Sequence, residues 1–201
     1  MTFILDGAFL PAILTAPPMT DEQFAQFCSD HPDLFFEMSA EGELIVRPPN
    51  YTLTSARHRA ILTQLDRWAQ LGGLGTVTDS AGGFLLPSGA RRAPDAAWTL
   101  KSRVLALDAT TVERYWRLCP DFVVEVRSET DRVRVLREKM RGWIENGAQL
   151  GWLIDPADRT AEIYRANGSV EVLTSPGFLK GEGPVDGFIL DLLPVWDPLG
   201  D

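Results

Sequence analysis

The chain has 201 residues, 45% of them hydrophobic and 23% charged, an ordinary soluble composition with enough length for one full core and one domain. Its formal net charge of -9 weighs against a protein that grips nucleic acid chiefly by neutralising phosphates. No apolar run nears the roughly 18 residues that a membrane span needs, so no membrane partner is expected.

The opening "MTFILDGAFLPAILTAPPMT" has no basic start and is interrupted by Asp6 and Pro11, so it reads as an irregular arm over residues 1–19 and not as an export signal. "TDEQFAQFCSDH" then pairs Thr20 with Gln23 in capping-box spacing, which predicts a helix with Phe24, Phe27 and Cys28 on its apolar face. Cys28 and Cys119 lie far apart without metal-ligand spacing and are expected as reduced thiols in a cytoplasm. "LFFEMSAEGELIV" reads as two strands around a tight turn at Ala40–Gly42, with Phe36 and Met38 on one face and Phe35 and Glu37 on the other.

From Thr54 or Ser55 to Leu71 the spacing of Ile61, Leu62, Leu65, Trp68 and Ala69 is helical, with His58 in the first turn and "GGLG" as the stop. Short strands are expected at "GTVTDS" and "GFLLP", a polar loop at "SGARRA", and a helix through "TTVERYWRLC". "PDFVVEV" is a buried strand carrying one carboxylate, Glu125, among valines. A helix from Asp131 to Asn146 follows, with a core stripe of Val133, Leu136, Met140, Trp143 and Ile144. At about 100° per residue Lys139 projects roughly 80° from the centre of that stripe, on its flank beside Trp143. The remainder is strand-rich: "QLGWLID", "TAEIYRA", an Asn167–Gly168 hairpin turn, "SVEVLT" and "GFIL". The order of elements predicts an α/β (α+β) fold, a mixed sheet covered by helices with additional hairpins.

Glu37, Asp95 and Glu125 stand at strand positions where water is scarce, and a lone buried carboxylate needs a cation, a proton or hydrogen bonds. Asp95 and Glu125 on adjacent strands can converge on one hard cation such as Mg²⁺, with the Val126 carbonyl as a further ligand. Ordinary readings stand beside this one. Asp95 after Pro94 suits a turn, and Glu125 can pair with Arg127. Glu37 suits a half-exposed sheet position. His58 and Lys139 suit a solvated surface, as do Arg132, Arg134, Arg137 and Arg141 around Lys139.

Taken together, "GGFLLPSGARRAPDAAW" and "PDFVVEVRSETDRVRVLREKMRGWIENGAQLGWLIDP" resemble the putative restriction endonuclease family of the PD-(D/E)XK nuclease superfamily. "FFEMSAEGELIVRPP" and the Ser-x-x-His of "SARH" fit its amino-terminal half. The resemblance implies a restriction-endonuclease-like fold and Mg²⁺-dependent (or Mn²⁺-dependent) hydrolysis of phosphodiesters in DNA. It further implies Asp95, Glu125 and Lys139 as catalytic residues, and Asp95, Glu125, Val126 and Glu37 around the metal. Arg127 occupies the position of the usual motif lysine, and Lys139 on the following helix is the match for that lysine. Arg127 and Arg91 are expected to clamp phosphates, and His58, which matches a recurrent histidine, is grouped with them on the substrate side. The alternative is an inactive binding or homodimeric assembly module, with Glu125 held by Arg127 and with Trp98, Trp116, Trp152 or Trp196 in an interface. A third reading is a hydrolase of small phosphate esters.

Overall fold

A computed structural model describes residues 12–47, 49–72, 74–112 and 114–200. Two main sheets build the fold, and the strand that carries Glu125 lies in the larger one. The smaller sheet is antiparallel in the order β1 (Ala12–Thr15), β3 (Glu43–Arg47), β2 (Phe35–Met38), β6 (Arg91–Arg92), β5 (Phe84–Leu85). The larger runs β11 (Val170–Thr174), β10 (Thr160–Arg165), β9 (Leu150–Asp155), β8 (Phe122–Val126), β7 (Ala96–Leu100), β4 (Gly75–Asp79). In that sheet β8 and β9 are parallel and every other neighbouring pair is antiparallel. The sheet is therefore mixed, as the order of elements predicts. A parallel pair needs a long crossover, here the helix α5 (Val133–Glu145).

Alternation along β8 decides what each face meets. Phe122, Val124 and Val126 enter one core with Ile61, Leu65 and Ala69 of α2 (Thr52–Gly72) and with Trp152 and Ile154 of β9. Val123 enters a second core with Leu136, Met140 and Trp143 of α5. By the same period of two Glu125 faces α5. Gly151 of β9 lets that helix come close, since a Cβ there would stand 2.5 Å from the Met140 methyl. A third cluster seals the smaller sheet under α1 (Asp21–Asp30), where Phe24 meets Met38, Leu44 and Val46. The predicted capping box at Thr20 and Gln23 is formed. A small β12–β13 pair (Phe178–Lys180, Ile189–Asp191) and α6 (Leu193–Trp196) complete the first core.

Several local expectations are corrected. Residues 1–11 of the expected irregular arm lie outside the described residues, and within 12–15 the chain is the strand β1 on β3. The apolar alternation of Ile13 and Leu14 is too short to stand out without its partner strand. Among the described residues of "TTVERYWRLC" only the first are helical, in α4 (Ala109–Val112); α3 (Lys101–Leu105) precedes it, and Trp116 bridges to Phe84 instead. Trp98 and Trp152 are core residues, 2% and 0% exposed, so neither is at an interface. Among the described residues no helix is long and apolar enough to cross a membrane, and Cys28 and Cys119 are free thiols.

Gly75 opens β4 directly over the Trp98 indole, and a Cβ there would overlap the ring. Gly75→Ala is expected to cost about 1–3 kcal/mol by overpacking. Urea denaturation reads this as a lowered midpoint with an unchanged slope, and an unchanged midpoint contradicts the packing described.

Candidate active site

The hairpin turn at Ala40–Gly42 is closed by the Gly42 N–H donating to the Ser39 carbonyl, with Gly42 at φ +87°. It sets Glu37 opposite Ile45 and Phe35 opposite Arg47, so Arg47 is the diagonal neighbour of Glu37 on one face. Arg47 Nη2 donates to Glu37 Oε1 at 2.8 Å, and Arg92 Nη1 of β6 donates to Oε2 at 3.0 Å. The third cation is Lys139. Its Nζ lies 2.9 Å from Glu37 Oε1, 2.9 Å from the Ala93 carbonyl, and 2.8 and 3.0 Å from the two oxygens of Glu125. The flank position on α5 thus carries a buried lysine that spans both sheets.

Glu125 is fully buried and receives one more donor, the Trp143 indole N–H at 2.9 Å. Burial is the strongest influence on its carboxyl and pushes it up to about 7; Lys139 pulls the other way, and Asp95 and Glu37 add to the rise. Glu37 is as deeply buried, but there the Arg47, Lys139 and Arg92 charges outweigh the desolvation and hold its carboxyl well below the usual range. Glu37 in turn holds the Arg47 guanidinium more firmly charged. Two glutamates from different sheets, both bound to Lys139, thus have opposite tendencies, one toward the proton and one toward the anion.

Asp95 stands just before β7. Its Oδ2 accepts the Val126 N–H at 2.8 Å and lies 3.5 Å from His58 Nε2, which has no hydrogen-bond partner among the described residues. The register of β7 on β8 pairs Ala96 with Val124, so continued two residues further it would set Pro94 opposite Val126. Proline has no N–H to offer, and the Val126 carbonyl is left without a ladder partner at this edge. Asp95, Glu125 and Val126 line one small polar pocket with Arg47, Ser128 and Asp131. Among the described residues no three His, Cys, Asp or Glu side chains converge as a ready chelate. The donors present are two carboxylates and one carbonyl, an all-oxygen set of the type that hard divalent ions take when water fills the remaining positions.

Other expected residues are placed differently. Glu37 has both oxygens engaged by cations and is the counter-ion of Lys139, not a free ligand. Arg127 does not pair with Glu125: beyond the end of β8 its Nη1 donates to Asp155 Oδ2 at 2.7 Å. Arg91 faces away from the site, held by Asp21 at 2.5 Å and lying over the Phe24 ring, whereas its neighbour Arg92 faces Glu37. His58 is buried behind Asp95, not solvated. The basic run on α5 divides, with Lys139 in the site, Arg137 paired to Glu162 and Arg134 near Glu138 at the surface. Arg47, the Ala93 carbonyl and the Trp143 N–H are not singled out by the sequence, and Arg92 only as a basic residue beside Arg91. Only Arg47 had a usable signal, its diagonal to Glu37 in a hairpin whose turn was legible.

The fold defines a class, for it is shared with a solved chain described as a putative nuclease belonging to DUF820 from Anabaena variabilis. The two are 18% identical with a TM-score of 0.74, over 89% of this chain and 98% of that one, a likeness of fold. The family model Uma2, described as putative restriction endonuclease, matches residues 21–193, and the chain belongs to that family. No curated protein matches it.

The tendencies of the two glutamates can be read from stability. Burial raises the folded Glu125 carboxyl to about 7, above the 4.5 of an unfolded glutamate. The native state therefore binds more protons between those values, and metal-free stability falls as the pH rises through that window. Glu125→Gln removes this slope, so the melting temperature of the variant relative to the parent should climb from pH 4.5 to pH 7. A flat difference would show that the buried carboxyl is not raised. Glu37 acts oppositely: its contribution is present above 4.5 and lost as the pH falls below it.

Proposed function

We propose that this protein is a divalent-cation-dependent endonuclease that hydrolyses phosphodiester bonds in DNA. The observation that carries the reading is the convergence of Asp95, Glu125 and the Val126 carbonyl edge on one polar pocket, with the Lys139 ammonium against Glu125. Family membership and the nuclease-like fold support it.

Asp95, Glu125 and the Val126 carbonyl would hold Mg²⁺ or Mn²⁺. Bound there, such an ion supplies Lewis acidity toward a phosphoryl oxygen and a water of lowered pKa. The residues of the chain do the rest. Asp95 is oriented by the Val126 N–H and Glu125 by the Trp143 N–H, so both carboxylates are set before any ligand arrives. Lys139 is tethered by Glu37 and the Ala93 carbonyl, so the N–H it gives to Glu125 is the one that would turn to the attacking water, or to charge developing on the phosphorus oxygens, once a cation takes that carboxylate. Arg47 and Arg92 keep Glu37 anionic and the tether charged. Arg127, tied to Asp155 at the strand end, is left as a flanking cation for a neighbouring phosphate. The free thiols fit a reducing cytoplasm.

One observation favours the module reading: Lys139 already neutralises Glu125 from within, so the network is complete without a ligand. The two readings separate in a plasmid-nicking assay. With Mg²⁺ or Mn²⁺ the parent chain is expected to nick, chelation to abolish nicking, and Lys139→Met or Asp95→Asn to lower the rate on the order of 10²-fold or more. Calorimetry with Mg²⁺ should give heat that Asp95→Asn and Glu125→Ala lose. No cleavage and no heat in the folded parent chain would leave the module.

A further inference from the structure

The rim of the pocket carries a feature that the chemistry above does not use. Phe35 shares the site face of β2 with Glu37, yet Glu37 is 3% exposed and Phe35 40%. Tyr51, immediately before α2, is 61% exposed, and its carbonyl accepts the Ser55 N–H, so the helix fixes its backbone. Both rings line the pocket that contains Asp95 and Glu125. Large rings left in water beside a reactive floor are a binding feature, because burying them elsewhere in the fold would have been stabilising.

Charge decides what they bind. Among the described residues the pocket wall holds the carboxylates of Asp95, Glu125 and Asp131 against one guanidinium, Arg47, which is bound to Glu37. A duplex presents two rows of phosphates, and its affinity comes chiefly from neutralising them. This wall lacks the free cations for that, and the chain as a whole carries -9. Base stacking on an aromatic ring needs no cation and tolerates any base. Resting on the nuclease reading of the same site, we propose that the substrate is an unpaired stretch of DNA, with a nucleobase stacked on Phe35 and Tyr51 at the pocket rim while the backbone beside it enters over Asp95 and Glu125. Asn50 and Ser80, also on the wall, offer hydrogen-bonding groups to the base edge or the sugar.

The test is fluorescence anisotropy with a labelled oligo-dT 20-mer, the same-length blunt duplex and oligo-U, in EDTA and again in Ca²⁺, read as binding and not as cleavage. The single strand is expected to bind at least tenfold tighter than the duplex. Phe35→Ala and Tyr51→Ala should each weaken it on the order of tenfold, with unchanged thermal melting, and Tyr51→Phe should restore it. Equal or tighter duplex binding overturns the proposal, as does unchanged binding in both alanine variants. Oligo-U bound better than oligo-dT would reassign the rim to RNA. Sedimentation of the same variants closes the remaining route: loss of a dimer in them would give both rings to a second copy of the chain. If the parent chain binds single strands in this way but never cuts, the nuclease reading fails and the stacking rim stands. If it cuts duplex DNA and ignores the rim, the reverse holds.

Discussion

The ammonium of Lys139 is the contact through which the two sheets become one site. It leaves α5, which packs on the larger sheet, and ends within 3.0 Å of carboxylates from both, Glu37 in the smaller and Glu125 in the larger. Neither glutamate tolerates its burial alone, and breaking a buried pair by removing one partner typically costs about 3–5 kcal/mol. The surrounding arrangement follows from that requirement. Arg47 and Arg92 flank Glu37, the Ala93 carbonyl accepts a hydrogen bond from Lys139, and the Trp143 N–H completes Glu125.

A second constraint comes from the end of a ladder. The register between β7 and β8 would continue at Pro94, which cannot donate, so the Asp95 side chain takes the Val126 N–H in place of a backbone partner and the Val126 carbonyl is left over. The adjacent Pro and Asp have one structural effect between them: they stop the sheet and leave oxygen atoms facing the pocket. His58 closes this corner from α2, buried at 3.5 Å from the same carboxylate.

How much of this the sequence carried can be judged by element. Helices α1, α2 and α5, the Ala40–Gly42 hairpin and strands β8 to β11 are spelled out by periodicity and turn residues, which act locally. β5 falls within the strand expected at "GFLLP", whereas β1 and β6 are short strands whose existence depends on partners far away in the chain. Single-sequence periodicity has no access to that. Asp95 and Glu125 drew notice as carboxylates on apolar strands and Lys139 as the flank of a core stripe, and the family resemblance joined them. Arg127 misled because spacing places it near Glu125, whereas β8 ends between them and the parallel neighbour β9 delivers Asp155 to it. Arg92 and Trp143 were hidden for a different reason. An arginine in a loop and a tryptophan on a core stripe look ordinary until a buried carboxylate is known to face them.

The lysine's position on a helix instead of the strand changes what fixes the dimensions of the site. An amine two residues after Glu125 would be located by hydrogen-bond register, which moves only in whole steps. One carried by α5 is located by how deeply that helix sinks into the sheet, a continuous quantity set by side-chain volume. Gly151 sets it here, with the Met140 methyl occupying the space where a Cβ would stand and Val123 beside it. The reach of the ammonium is thus coupled to the thickness of the core beneath it, and a volume change on the far side of Met140 is transmitted to the pocket as a displacement of charge.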